Sequence, residues 1–268
     1  MLLSDPHDRR LDDFRDLANA DRRPDRPGGR GLVIAEGVPV VQRLIASPYP
    51  VRAVMGVAAK TSLLEPALRA AGCDAPVYTV PVQVMDAVAG FHLNRGVLAC
   101  ADRAPMPSFE DLAGSASRLL VLEGVGDHEN LGSLFRNAAA FGIHGVVLGP
   151  RCSDPLYRRA VRVSMGNVLK VPFCSVPAQL WPQALFELRD MGFDVLAMTP
   201  RPPAVRLAAV DPAVRKVAVL VGAEGPGLTA EAMGAASRSV RIPMADGVDS
   251  LNVATAAAVV LSHFALVD

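Results

Sequence analysis

The sequence predicts an α/β protein made of two successive α/β units. From Gly31 onward, apolar runs of strand length alternate with stretches of helical periodicity. The alternation breaks once, at residues 103–117 (RAPMPSFEDLAGSAS), where Pro, Ser and Gly interrupt the pattern. A third observation points to the chemistry. Three short polar stretches of the second unit, 130–137 (NLGSLFRN), 222–227 (GAEGPG) and 242–253 (IPMADGVDSLNV), lie between apolar runs. Amides, hydroxyls and carboxylates wedged there need partners or a ligand, so the three are expected to form one site.

Composition sets the outer limits. The 268 residues leave room for two domains, and 51% hydrophobic residues supply a sizeable core. The 27 basic and 27 acidic side chains cancel, which removes the simplest argument for a nucleic-acid partner but leaves room for a local basic patch. Lys occurs only at 60, 170 and 216; the other cations are Arg, which fits either a coding bias or forked phosphate contacts. Cys73, Cys100, Cys152 and Cys174 lack Cys-x-x-Cys spacing, so neither a metal site nor a disulfide framework is expected. The N-terminus is charged from Asp5 and has no apolar leader core, and no apolar run reaches membrane-spanning length. A cytoplasmic protein with no membrane contact is expected.

Residues 1–30 hold seven Arg and seven Asp. Leu11, Phe14 and Leu17 fit one face of a helix over 9–19, Pro24 and 27–29 (PGG) end it, and the stretch reads as a solvated arm. The first unit, 31–102, then predicts strands at 31–36, 51–57, 77–80 and 96–101, with helices at 39–45, 62–71 and 82–88. It carries no Ser/His/Asp or metal constellation, and His92 reads as a loop or packing residue. Residues 103–117 read as a linker.

The second unit, 118–268, opens with a strand at 118–124, a polar loop and a helix over 131–141. Strands at 143–148, 171–173, 193–199 and 217–221 follow, with helices at 155–164 and 179–191. A short β-type segment at 240–242 leads into the last polar loop, and the Gly- and Pro-free tail 253–267 reads as a buried closing helix. Residues 151–170 contain five cations (Arg151, Arg158, Arg159, Arg162, Lys170) against Asp154 alone. Arg158, Arg159 and Arg162 are therefore the candidates for RNA phosphate contact.

Several enzyme classes drop out. Gly124-Val125-Gly126 would need Gly at 129, where Glu129 stands, and Gly225-Pro226-Gly227 would need Gly at 230, where Ala230 stands. No phosphate loop, nucleophile elbow or HExxH pair occurs. What remains is Asn130-x-Gly132 with Arg136-Asn137-Ala138, then Gly222-x-Glu224-x-x-Gly227, then Ile242-Pro243 with Ser250-Leu251-Asn252-Val253. In these three motifs, in order, the sequence resembles the SpoU (TrmH-like) branch of the SPOUT RNA methyltransferases. Residues 31–102 resemble, more weakly, the L30e-like substrate-binding domain of many members.

The resemblance implies a deep trefoil knot in the C-terminal α/β domain, formed by the segment around 222–260. It implies a homodimer, S-adenosylmethionine as cofactor, and methylation of a ribose 2′-hydroxyl in structured RNA. Ribosomal RNA is favoured; tRNA, or a non-catalytic RNA-binding or ribosome-assembly role, is the alternative. Gly222, Ile242 and Leu251 would hold the adenosyl group. Arg136 would be the catalytic arginine, orienting phosphate and stabilising the alkoxide, since guanidinium is a poor base. Asn130 and Asn252 would fix loop geometry or Arg136, Ser250 would meet Arg136 or RNA, and Glu224 would tie the loops by accepting backbone N–H groups. His128 reads as an exposed loop residue.

Overall fold

The structure is a computed structural model; it describes residues 1–19, 23–26 and 29–265. In chain order the first elements are β1 (Val33–Glu36), α1 (Val38–Ile45), β2 (Val51–Gly56), α2 (Ala58–Thr61), α3 (Glu65–Ala70), β3 (Val77–Thr79), α4 (Val82–Ala89) and β4 (Val97–Ala101). Next come α5 (Phe109–Ser115), β5 (Arg118–Glu123), α6 (His128–Ala140), β6 (Gly145–Leu148), α7 (Arg158–Val163), β7 (Phe173–Ser175) and α8 (Gln183–Asp190). The chain closes with β8 (Asp194–Met198), β9 (Val205–Arg206), β10 (Val217–Gly222), α9 (Ala230–Ala235), β11 (Arg238–Arg241) and α10 (Val253–Phe264). These elements form two compact units, Met1–Pro105 with Pro155–Lys170, and Met106–Asp154 with Val171–Asp268.

The first unit is a mixed four-stranded sheet, order β1-β4-β2-β3. Central β4 pairs antiparallel with β1 and β2, and β2 pairs parallel with β3. β1 and β4 are buried at every residue, as strands covered on both faces should be.

The described part of residues 1–30 is not a solvated arm. Leu11, Phe14 and Leu17 are buried in the first unit's core, the first two on a short 3-10 turn (Arg9–Phe14) and Leu17 beyond it, rather than on a long helix. The chain start also extends the sheet edge, since Leu3 N–H donates to Thr79 O at 2.9 Å and Thr79 N–H to Met1 O at 2.8 Å. The charged residues that suggested solvation pair locally. Arg10 meets Asp8 at 2.6 Å, Arg15 meets Asp12 at 3.0 Å, and Arg30 and Arg52 both meet Asp13. Of the predicted breakers and charges here, Asp21, Arg22, Pro27 and Gly28 lie outside the described residues, as do Leu266 and Val267 of the predicted tail helix.

The second unit is a seven-stranded sheet, order β7-β6-β5-β10-β8-β11-β9, in which every pair is parallel. Its central strands β5 and β10 are apolar runs, buried on both faces. The stretch read as a linker carries α5. Ser108 caps it by accepting from Asp111 N–H at 3.0 Å, and Leu112 packs where Gly145 has no side chain, 2.5 Å from the position of a Cβ there. The strand β9 and helix α9, absent from the sequence reading, complete this unit.

Candidate active site

The site is built at the carboxyl ends of parallel strands, where open α/β sheets present ligand sites. β8 ends at Met198, β10 at Gly222, and β11 runs directly into Ile242. A cavity of about 450 Å³ opens there. Gly222, Glu224, Ile242, Ser250, Leu251 and Asn252 all line it, so six residues singled out in the sequence meet around one space. Met198, Thr199 and Pro200 form a wall that sequence reasoning missed. Their available signal was position, at the end of a parallel strand.

The loop after β10 explains its glycines. Gly227 N–H donates to Ala223 O at 3.0 Å, folding the loop back on itself. A Cβ on Gly222 would lie 2.4 Å from the Gly227 carbonyl carbon, and Gly225 and Gly227 take φ of +85° and +75°. Gly222 thus admits the chain's own backbone, at Gly227 and Leu228.

Beneath the loop lies Glu123, the last residue of β5 and 1% exposed. It stands beside Gly222 in the ladder. Its carboxylate accepts from Thr229 N–H at 2.9 Å, Thr229 Oγ1–H at 2.8 Å and Trp181 Nε1–H at 2.8 Å. Thr229 in turn caps α9, accepting from Ala232 N–H. Glu123 therefore pins both ends of the segment 222–229, one through the ladder and one through Thr229. The sequence reading passed over it as a strand residue.

The three polar stretches meet at Asn252. Its Oδ1 accepts from Ala254 N–H at 3.0 Å and Thr255 N–H at 3.2 Å, capping α10. Its Nδ2 donates to Asn130 Oδ1 at 2.8 Å and to Glu224 Oε1 at 2.6 Å. All of the amide's hydrogens are engaged. Glu224 thus binds a side-chain amide rather than backbone N–H groups. A second seam comes from Asn137, whose Nδ2 donates to Ala254 O at 2.7 Å and docks α6 on α10. Asn130 and Asn137 share a helix face because seven residues make about two turns.

Arg136 lies about 100° around α6 from Asn137 and is exposed. Among the described residues it makes no hydrogen bond or ion pair: of the two roles expected for Asn252, fixing loop geometry or Arg136, its hydrogen bonds serve the first, and Ser250 lines the cavity without a bond to Arg136. Arg136 keeps its guanidinium available for an anion.

The proposed RNA trio belongs to the first unit, not to this site. Arg158 is turned inward: its side chain is 15% exposed, its Nη1 is 3.8 Å from Glu36 Oε2, and its guanidinium covers the Phe91 ring at 4.8 Å. Burial pushes the Arg158 guanidinium below its usual range. Arg162, more exposed, is also 3.8 Å from Glu36, and Arg159 is exposed. Cys100 and Cys174 are buried packing groups, Cys73 and Cys152 are half-buried, and burial pushes the Cys174 thiol up to about 12. Among the described residues no cluster of metal-ligating side chains occurs, and no helix is long and apolar enough to cross a membrane.

The SpoU rRNA methylase family matches residues 117–262, more than half of the chain. This protein belongs to the SpoU family. A tRNA/rRNA methyltransferase of Mycobacterium tuberculosis is 55% identical over 258 residues, covering 96% of this chain and 88% of the relative. Among solved structures, the AdoMet-bound rRNA methyltransferase of Sinorhizobium meliloti superposes with a TM-score of 0.81 at 23% identity, over 98% of this chain and 97% of that one. The SpoU methyltransferase AviRb of Streptomyces viridochromogenes, in complex with AdoMet, gives 0.77 at 19% identity, over 96% and 97%. At these identities the two structures speak for the α/β fold. Family membership makes this chain an RNA methyltransferase that uses S-adenosylmethionine. The cavity suits that donor: its volume is in the small-molecule range of about 300–1,000 Å³, and Leu251, 38% exposed, offers an apolar cover beside main-chain polar groups.

Proposed function

We propose that this SpoU-family protein methylates a ribose 2′-hydroxyl of structured RNA, ribosomal RNA before tRNA, and acts as a homodimer whose C-terminal segment is threaded into a knot. The Asn252 node carries this reading. One side chain ties together α6, the loop 222–227 and α10 at the rim of the cavity, while Arg136 on the same α6 remains unengaged.

S-adenosylmethionine supplies an electrophilic methyl group. The chain must hold the donor, exclude water and help a poorly nucleophilic hydroxyl lose its proton. Gly222, Ile242 and Leu251 hold the adenosyl group through main-chain atoms and apolar cover. Arg136 binds an RNA phosphate and stabilises the developing alkoxide without acting as a base. Asn130, Glu224 and Asn252 are positioning residues, and Ser250 meets the substrate at the cavity. The first unit serves as an L30e-like RNA-binding domain.

Arg136→Ala should abolish methyl transfer while calorimetry still detects S-adenosylmethionine binding; undiminished transfer would sink the catalytic assignment. Deleting the chain after Val253 should abolish cofactor binding, and retained binding would refute a site closed by the chain end. Ribose-methylation mapping of total RNA with and without the gene decides between ribosomal and transfer RNA.

A further inference from the structure

The loop 222–227 walls a second cavity, of about 310 Å³. Met198, Thr199, Gly225 and Gly227 line both spaces, and the second adds Arg201. It lies where the sheet ends in β11 and β9, whose register pairs Val240 with Val205 and Arg241 with Arg206. Register partners in a parallel ladder put their side chains on the same face about 4.8 Å apart. Arg206 and Arg241 are therefore side by side, a like-charge pair that opposes folding unless an anion joins it.

The segments 199–206 (TPRPPAVR) and 238–243 (RSVRIP) hold four Arg and no acid. Arg238 is answered by Asp194 at 2.9 Å. Arg201, Arg206 and Arg241 have no carboxylate partner among the described residues. Arg241 Nε–H donates to Ala204 O at 3.3 Å, which leaves the rest of its fork open, and Arg201 and Arg206 are exposed. Five arginines of the first unit, Arg10, Arg15, Arg23, Arg30 and Arg52, each face an Asp. Arg201, Arg206 and Arg241 instead bring three guanidiniums without a carboxylate to adjoining segments of one sheet edge. Their planar forks match phosphate oxygens.

We propose that Arg201, Arg206 and Arg241 form a phosphate-binding strip that holds the RNA backbone next to the nucleotide being methylated. The inference rests on the RNA-methyltransferase reading and names how the substrate is held. The test measures binding of the full-length protein to an in vitro transcribed rRNA fragment over a salt series, with no methyl transfer involved.

R201A/R206A should weaken binding, and the slope of log K against log salt should become shallower by about 0.7–0.9 for each arginine removed. Lys at both positions should restore the slope, because the charge returns. S-adenosylmethionine affinity should stay at the wild-type level. Adding R241A should flatten the slope again; if that triple variant misfolds, R206E alone decides, with a larger loss of affinity than R206A. An unchanged slope in correctly folded R201A/R206A would overturn the strip. So would a shifted oligomeric state with intact RNA binding, since the edge would then be a self-association surface. Failure of the parent reading looks different: wild-type protein would leave every RNA without ribose methylation, whatever the salt slope.

Discussion

The first strand of each sheet ends in a buried glutamate, and the two ends are built differently. β1 ends in Glu36 and β5 in Glu123, with 6% and 1% exposure. Glu123 receives three hydrogen bonds of 2.8–2.9 Å from Thr229 and Trp181, all uncharged donors. Glu36 faces three guanidiniums instead, Arg95 at 3.9 Å and Arg158 and Arg162 at 3.8 Å. Those distances are too long for hydrogen bonds, and Glu36 Oε2 and Arg158 Nη1 are both buried without one. Charge balance holds Glu36, whereas directed hydrogen bonds hold Glu123. Charge balance fixes a group loosely and tolerates replacement; hydrogen bonds fix a loop to within tenths of an ångström. The rigid solution is the one beneath the cavity proposed for the methyl donor.

Four single substitutions and one double variant break or sharpen that contrast. Glu123→Ala should have the largest effect. It leaves three donors on the half-buried Thr229 and Trp181 without their carboxylate; at about 1–3 kcal/mol for each donor that water does not reach, a loss of about 2–3 kcal/mol is expected in denaturant unfolding. Cofactor affinity should fall with it because segment 222–229 loses its anchor. A loss under about 1 kcal/mol would mean that the three bonds do not anchor the loop.

Arg158→Ala should cost about 2–3 kcal/mol, below the usual range for breaking a buried pair because Arg162 and Arg95 still face Glu36. Combining Arg158→Met with Glu36→Leu should recover most of that loss, as apolar replacement of buried ion pairs often does. No recovery would mean that the two carboxylates are held alike. Asn252→Ala removes a helix cap and the bridge to Asn130 and Glu224. A stability loss of about 1 kcal/mol is expected, with a larger proportional loss of cofactor affinity by calorimetry. Arg136→Ala marks the small end: an exposed group without partners should change stability by less than about 0.5 kcal/mol. A larger drop in thermal unfolding would show that Arg136 is structural.

Much of the site was legible before folding. Gly222, Glu224, Ile242, Ser250, Leu251 and Asn252 carry their signal in composition, since polar and glycine residues between apolar runs are conspicuous. Asn137 and Glu123 were not legible in their roles. Asn137 stands in the sequence only as a motif residue between Arg136 and Ala138, although it donates to a carbonyl 117 residues away. Glu123 closes an apolar strand and looks like its exposed end, because nothing local announces Thr229 above it. The Arg-rich run 151–170 divides for the same reason. Five cations in sequence resemble one surface, yet α7 packs in the first unit and aims Arg158 at Glu36. The arginines of the sheet edge, spread over 201, 206 and 241, drew no notice until β9 and β11 came into register.

Local chemistry therefore determined the α/β class, most strand positions, the capped polar loops and the family. Each depends on periodicity, turn residues or motif spacing within a few tens of residues. Tertiary structure decided which unit α7 joins, which buried carboxylate is hydrogen-bonded and which is only balanced, and which arginines are left without acids. These outcomes depend on partners a hundred or more residues apart: Asn252 and Asn130, joined in one hydrogen bond, are 122 positions apart. Periodicity tells a side chain to be buried or exposed, but only the packed chain supplies the donor, acceptor or charge it meets.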